Sequence, residues 1–335
     1  MADGTHRQRY IIGVDLGGTK IMCGALSDDG SRHYAMQSIA TQSEQGEDVT
    51  VDRMVGLIER VLLDTIAETG AAREDFLGIG IGAPGPLDRE RGIVVVAPNL
   101  GWRDFPLRDL IQNRLGLAST LDNDANCATV GEWWQGAAKG ARSVVGVTIG
   151  TGIGGGIVLD GKLYHGVSDV AGEIGHTTIE LNGRYCKCGN YGCLEAYASG
   201  PAIAVRAREA LVREESASLM PSLVDGRLEM ITAQTVYDAS SQGDAVAQEI
   251  VRDTARYLGA GVANLLNVLN VECVVIAGGV TAAGEALFGP LRAEVRRRAF
   301  KPAVEAARIV PASLPGTAGV VGAVATFKAQ HLGRV

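Results

Sequence analysis

The densest chemistry in the chain lies between residues 173 and 195. Cys186, Cys188 and Cys193 fall within eight residues, and His176 stands shortly before them. Three thiolates and an imidazole match a closed tetrahedral Zn²⁺ site, and the Gly189–Gly192 turn lets the chain fold back between ligands. Four protein ligands leave no open position, so such a metal would shape a loop and not activate water. Buried thiols or a disulfide are the alternatives, but neither explains three cysteines so close together. Cys23, Cys127 and Cys273 stand in apolar surroundings and are expected in the core.

Glu173 precedes His176 by three residues and Glu195 follows Cys193 by two. A metal pinning both flanks would bring these carboxylates to one pocket, together with the second imidazole nitrogen. Carboxylates, an imidazole and the amides of Asn99 and Asn123 suit a polyhydroxylated ligand, whose hydroxyls each donate and accept. Taken singly, Glu173 and Glu195 read equally as surface or capping residues.

Asp124 lies in Leu121-Asp122-Asn123-Asp124-Ala125-Asn126, where an apolar segment over 117–121 hands over to a helix expected over 125–136. The positive end of that helix favours the ionised carboxylate. So placed, it can take the proton of a substrate hydroxyl that attacks phosphorus. Helix capping is the competing use of an Asp or Asn here.

Two glycine loops could cradle phosphate with backbone N–H groups. Gly13–Lys20, with Asp15, Gly17, Gly18, Thr19 and Lys20, narrowly misses the P-loop order, and the residues after it alternate as in a strand. Gly150, Gly152 and Gly155 satisfy G-x-G-x-x-G, with Thr151 and Gly154 between them, yet Ile157–Leu159 again continues as strand. A dinucleotide site needs a helix there, so a dehydrogenase is disfavoured. Either loop alone could be a tight hairpin. A third pair, Gly278 and Gly279, follows a strand and precedes a helix expected from Thr281 to Phe300, a position where α/β proteins bind ligands.

The elements that must position these residues alternate, which predicts an α/β protein. Strands are expected over 10–14, 76–83, 144–149 and 272–277. One helix carries Val51, Met54, Val55, Ile58, Leu62 and Ile66 on one face, with Asp48 as its start and Gly70 as its end. A long helix is expected over 244–269, and an irregular insertion over 216–232. The segment from Ile11 to Thr19 lines up with Val144 to Gly152, each being strand, polar residue, glycines and second apolar run, which implies two similar halves. Trp102, Trp133 and Trp134 could stack on a sugar or pack in a core.

At 335 residues the chain suits two domains. Its 46% hydrophobic and 21% charged content excludes general disorder, and its formal charge of −7 argues against a nucleic-acid surface. No apolar run approaches a membrane span, and the short run at 10–14 is no signal-peptide core, so a cytoplasmic protein is expected.

Over nearly its whole length the sequence resembles the ROK family (repressors, open reading frames, kinases), and within it the bacterial glucokinases. The likeness is carried by Asp15–Lys20, Asn123-Asp124-Ala125, Gly150–Gly156, Glu173-Ile174-Gly175-His176 and Cys186–Glu195. It implies an actin-like ATPase fold with two lobes around a cleft: a small lobe of residues 1–126 plus 317–335 and a large lobe of 127–316. It implies ATP and Mg²⁺ on the glycine loops, structural Zn²⁺, and Asp124 as general base. Asn99, Asn123, Glu173, His176 and Glu195 would contact a hexose, with Gly85 near its 2-position. His176 would turn one nitrogen to zinc and the other to the sugar. Glucose is the expected acceptor, with N-acetylmannosamine, N-acetylglucosamine or fructose as rivals and polyphosphate as another donor. A sugar-responsive regulator of this family would carry an N-terminal helix-turn-helix, whereas about nine polar residues precede the first strand here. A homodimer or homotetramer is expected from the same likeness.

Overall fold

The computed structural model describes residues 7–213, 217–333 and 335. Strands β1 (Tyr10–Leu16), β2 (Lys20–Ser27) and β3 (His33–Ala40) form an antiparallel meander. The chain crosses through α1 (Glu47–Thr69) to β4 (Phe76–Ala83), which lies parallel to β1. A small antiparallel sheet of β5 (Leu87–Asp88), β6 (Ile93–Ala97) and β7 (Trp102–Phe105) follows. Then come α2 (Leu107–Leu115) and β8 (Ser119–Asn123), parallel to β4. The first sheet is thus ordered β3-β2-β1-β4-β8.

After α3 (Asp124–Trp134) the same path is traced again by β9 (Val144–Ile149), β10 (Ile153–Leu159) and β11 (Lys162–Leu163). An insertion holds α4 (Glu195–Ala198), α5 (Gly200–Arg213) and α6 (Ala233–Ser241). The crossover α7 (Ala245–Leu269) leads to β12 (Cys273–Gly278), α8 (Glu285–Arg298), α9 (Lys301–Ala306), β13 (Arg308–Pro311) and α10 (Ala318–Leu332). The second sheet is ordered β11-β10-β9-β12-β13, with β9–β10 antiparallel and β9–β12 parallel, as in the first. The internal similarity is therefore a duplicated unit, with the two glycine turns at equivalent places.

Each sheet buries one face under its crossover helix. Val51, Met54, Ile58 and Leu62 of α1 pack on Ile12, Val14 and Ile79, and Ile250, Leu258 and Val262 of α7 pack on the second sheet around Val145 and Val274. On the opposite faces the last helices are exchanged. α3, which follows the first sheet, packs on β9 and β10, whereas α10, which ends the second, packs on β1 and β4. Val320, Val324 and Phe327 of α10 bury Ile11 and Leu26. α3 and α10 also touch each other closely enough that a Cβ on Gly322 would lie 1.6 Å from the carbonyl oxygen of Cys127. This helix pair joins the halves at the level where the strands' carboxyl ends open into a cleft.

Several boundaries differ from the sequence reading. Gly46, not Asp48, is the N-cap of α1, and Asp48 sits in the first turn, where its charge suits the helix dipole. Gly70 closes that helix with φ +73°. Asp244 caps α7 from outside by accepting the Ala247 N–H. The helix expected from Thr281 to Phe300 is shorter: Gly279–Ala283 forms a 3₁₀ turn and α8 begins at Glu285. Gly284, at φ +53° and ψ −133°, reorients the chain between them. Two 3₁₀ turns interrupt the irregular stretch from 217 to 232, and Ser216 lies outside the described residues. Cys23, Cys127 and Cys273 are fully buried. None of the tryptophans reaches the cleft: Trp102 stacks on Phe105 in the core, Trp133 donates to the Ala141 carbonyl, and Trp134 packs against Lys328.

Candidate active site

A cleft of about 950 Å³ lies between the two sheets. Its floor is the junction of β8 and α3. Asn123 takes the capping role there, its side-chain oxygen accepting the N–H groups of Ala125 at 2.9 Å and Asn126 at 3.2 Å. Asp124 is thereby the first residue of α3 and not its cap. One of its carboxylate oxygens accepts the Ala125 N–H at 2.8 Å. Burial raises the Asp124 pKa; the Ala125 N–H opposes this and the charge of Glu173 adds to it. Asp15, near the end of β1, is pushed up to about 6 by burial and then by the charge of Asp124, against the pull of Lys20.

On the first sheet's side the cleft is lined by Asp15, Gly18, Lys20, Gly85 and Asn99. Asn99 sits on a 3₁₀ turn, and a Cβ on Gly18 would come within 3.0 Å of it. The second sheet contributes Gly150, Thr151, Gly152, Gly154 and Gly278. Gly17, Thr19 and Gly279 do not line the cleft. The Gly17 N–H is engaged by the Lys20 carbonyl at 2.9 Å and the Thr19 carbonyl accepts from Thr41, so these two residues form the β1–β2 turn. Gly279 opens the 3₁₀ turn beyond the rim.

Glu173, His176 and Glu195 face the cleft together. The imidazole Nδ1 of His176 is 3.8 Å from the Cys186 sulfur and its Nε2 is 3.9 Å from a Glu173 oxygen, so the two nitrogens point to thiols and to the cleft respectively. Glu195 turns one oxygen to the Ile153 N–H at 2.8 Å and the other toward Cys186 at 3.9 Å. The glycine at 152 admits it, since a Cβ there would lie 2.5 Å from Glu195 Oε2.

The donor atoms of His176, Cys186, Cys188 and Cys193 all lie within 4.8 Å of one another. Cys188 and Cys193 sulfurs are 3.7 Å apart. Zinc–sulfur bonds of about 2.3 Å in a tetrahedron give sulfur separations of about 3.8 Å, so the quartet has the size of a zinc site.

Residues that sequence reading missed lie directly behind the floor. Asp122 is fully buried. It accepts from the Asn123 N–H and the Asn126 amide, and pairs with His165. Only its place in the Asp122-Asn123-Asp124 run hinted at a role. A second pocket of about 500 Å³ opens beside Gly150 and Thr151, between the starts of α5 and α6.

The ROK family profile matches residues 11–330. The chain belongs to the ROK family. This ROK protein is 38% identical over 324 residues to a glucokinase of Halalkalibacterium halodurans, covering 96% of each chain. It is 32% identical to a xylose repressor of Caldicellulosiruptor bescii, covering 94% of this chain and 77% of that one. The structure of a ROK family glucokinase from Streptomyces griseus in complex with glucose and AMPPNP superposes with a TM-score of 0.78 at 36% identity, over 94% of this chain and 98% of that one. Its fold is the actin-like ATPase architecture of two lobes. Among the described residues no helix is long and apolar enough to cross a membrane.

Proposed function

We propose that this protein transfers the γ-phosphoryl group of ATP to the 6-hydroxyl of glucose. The observation that carries the reading is the position of Asp124 at the floor of the cleft, which Asp15 lines with the glycine turns and Glu173 lines with His176 and Glu195. A base between a phosphate cradle and a cluster of sugar-binding groups is what phosphoryl transfer to a hydroxyl requires. The likeness to glucokinases, one of them holding glucose and a nucleotide analogue, supports the same assignment.

In this reading Asn99, Asn123, Glu173, His176 and Glu195 hold the sugar, with Gly85 against its 2-position. Asp124 removes the proton of the 6-hydroxyl as that oxygen bonds to the γ-phosphorus. The bond to the bridging oxygen breaks and ADP leaves with its electron pair. Lys20 and the backbones around Gly18, Gly150, Thr151, Gly152 and Gly154 bind the phosphates, and the nucleoside extends past Gly278 toward the second pocket. Mg²⁺ accompanying ATP would supply charge compensation, and Asp15 is the carboxylate that would hold it. His176, Cys186, Cys188 and Cys193 would hold a structural Zn²⁺, which would fix both flanks that carry Glu173 and Glu195. The lobes divide at residues 126 and 317, and their closure excludes water that would otherwise hydrolyse ATP.

The test is a coupled assay of ADP release with glucose, mannose, fructose, N-acetylglucosamine and N-acetylmannosamine, repeated with polyphosphate as donor. Glucose with ATP should give the highest kcat/KM. A larger value for an N-acetylhexosamine, or activity with polyphosphate alone, would overturn the assignment.

A further inference from the structure

Behind the floor of the cleft a buried ionic cluster joins elements that approach the site from different directions. Asp122, on β8, is its centre. Oδ1 accepts the Asn123 N–H at 2.8 Å and the Asn126 Nδ2 at 3.1 Å, holding the first turn of α3, from which Asp124 projects. Oδ2 lies 2.9 Å from His165 Nε2 and 3.2 Å from Arg89 Nε. The Arg89 contact is an ion pair without hydrogen-bond alignment. Arg89, on the β5–β6 turn, reaches further to Asp169, through its N–H at 3.2 Å and Nη1 at 3.3 Å. The His165 carbonyl accepts the Ala171 N–H at 3.1 Å, so His165 and Asp169 both tie down the loop that leads to Glu173.

Burial alone would hold the Asp122 carboxyl protonated. The His165 hydrogen bond and the charges of His165 and Arg89 outweigh it and hold the pKa below the ordinary value. An ionised carboxylate with no exposure carries a desolvation cost that a loop-to-strand contact does not require. What distinguishes it is reach, because one carboxylate fixes both the start of α3 and the loop ahead of Glu173.

We propose that Asp122, through His165 and Arg89, is a positioning residue that sets Asp124 against the sugar-binding loop. The proposal rests on Asp124 being the base. Asp122 touches neither substrate in this arrangement. Its effect is on the approach of the base to the 6-hydroxyl, where a displacement of about 1 Å costs on the order of 100-fold in rate.

The experiment compares His165→Gln, whose amide can replace the Nε2–H donor, with His165→Leu and Asp122→Asn in the full-length zinc-loaded protein. Rates are taken per folded active site, with Asp124→Asn as a parallel control. His165→Leu and Asp122→Asn should lower kcat about 10- to 100-fold while the KM for ATP stays within twofold, and His165→Gln should restore kcat to within threefold. Because Asp122→Asn removes the central carboxylate and leaves Arg89 only Asp169 as an ionic partner, it is expected to cost stability as well, so the His165 pair decides. Unchanged kcat in folded His165→Leu, or an equal loss in His165→Gln, would overturn the proposal. Full activity in Asp124→Asn would instead remove the base reading itself, so the two failures are told apart.

Discussion

The carboxyl group of Asp15 lies in the field of Asp124. Burial and then that neighbouring charge raise it to about 6, with Lys20 opposing. One stands near the end of β1 and the other just beyond β8. A raised carboxyl favours its protonated form, so its contribution to the stability of the unliganded protein is present below the unfolded value and lost as pH rises through about 6. The proposed role of Asp15 beside Mg·ATP calls for the opposite, ionised form. The prediction is that kcat/KM for ATP falls as pH is lowered through about 6, with the KM for Mg·ATP rising over the same interval. A profile flat from pH 7 to 5 would contradict it.

The Cys₃His quartet makes a separate prediction. Cys188 is the exposed member of the quartet, so Cys188→Ala removes one proposed zinc donor with little loss of packing. Metal analysis should find about one zinc per wild-type chain and none in the variant, with the KM for glucose raised at least tenfold. Wild-type KM in a zinc-free preparation would remove the link between metal and sugar.

Much of this site could be read from residue types because its parts are local in sequence. Three cysteines and a histidine stand close enough in the chain that their grouping could be anticipated, and the two glycine turns repeat one another along the chain. The Asn123-Asp124 pair could not be resolved that way, since either residue can cap a helix. Backbone direction decides it, giving the cap to Asn123 and leaving Asp124 at the cleft floor. The Asp122 cluster was invisible for a different reason: Arg89, His165 and Asp169 stand far from it in the chain and meet it only when the halves assemble. Gly17, Thr19 and Gly279 belong to motifs whose conformation matters, yet a motif does not reveal which of its members face inward.

Gly152 and Glu195 give a test of the sugar side. In Gly152→Ala the new methyl would meet Glu195 Oε2, the atom that accepts the Ile153 N–H. The carboxylate tip can move, so the expected stability loss is about 1 kcal/mol, the worth of one hydrogen bond. Sugar KM should rise several-fold and by more than the KM for ATP, as titration of each substrate would show.

The contact of α3 with α10 predicts a stability effect without a chemical one. In Gly322→Ala the obstacle is the backbone carbonyl of Cys127, which cannot rotate away. The expected cost is about 1–3 kcal/mol, read as a fall in Tm of several degrees. Glucose KM measured well below that Tm should be unchanged.

The account turns on one carboxylate, and Asp124→Asn probes it most directly. Glucose binding, measured by calorimetry on the zinc-loaded protein, should stay within threefold of wild type, and kcat for glucose phosphorylation should fall by about 100- to 10,000-fold. A variant that binds glucose normally and keeps kcat within tenfold of wild type would contradict the account.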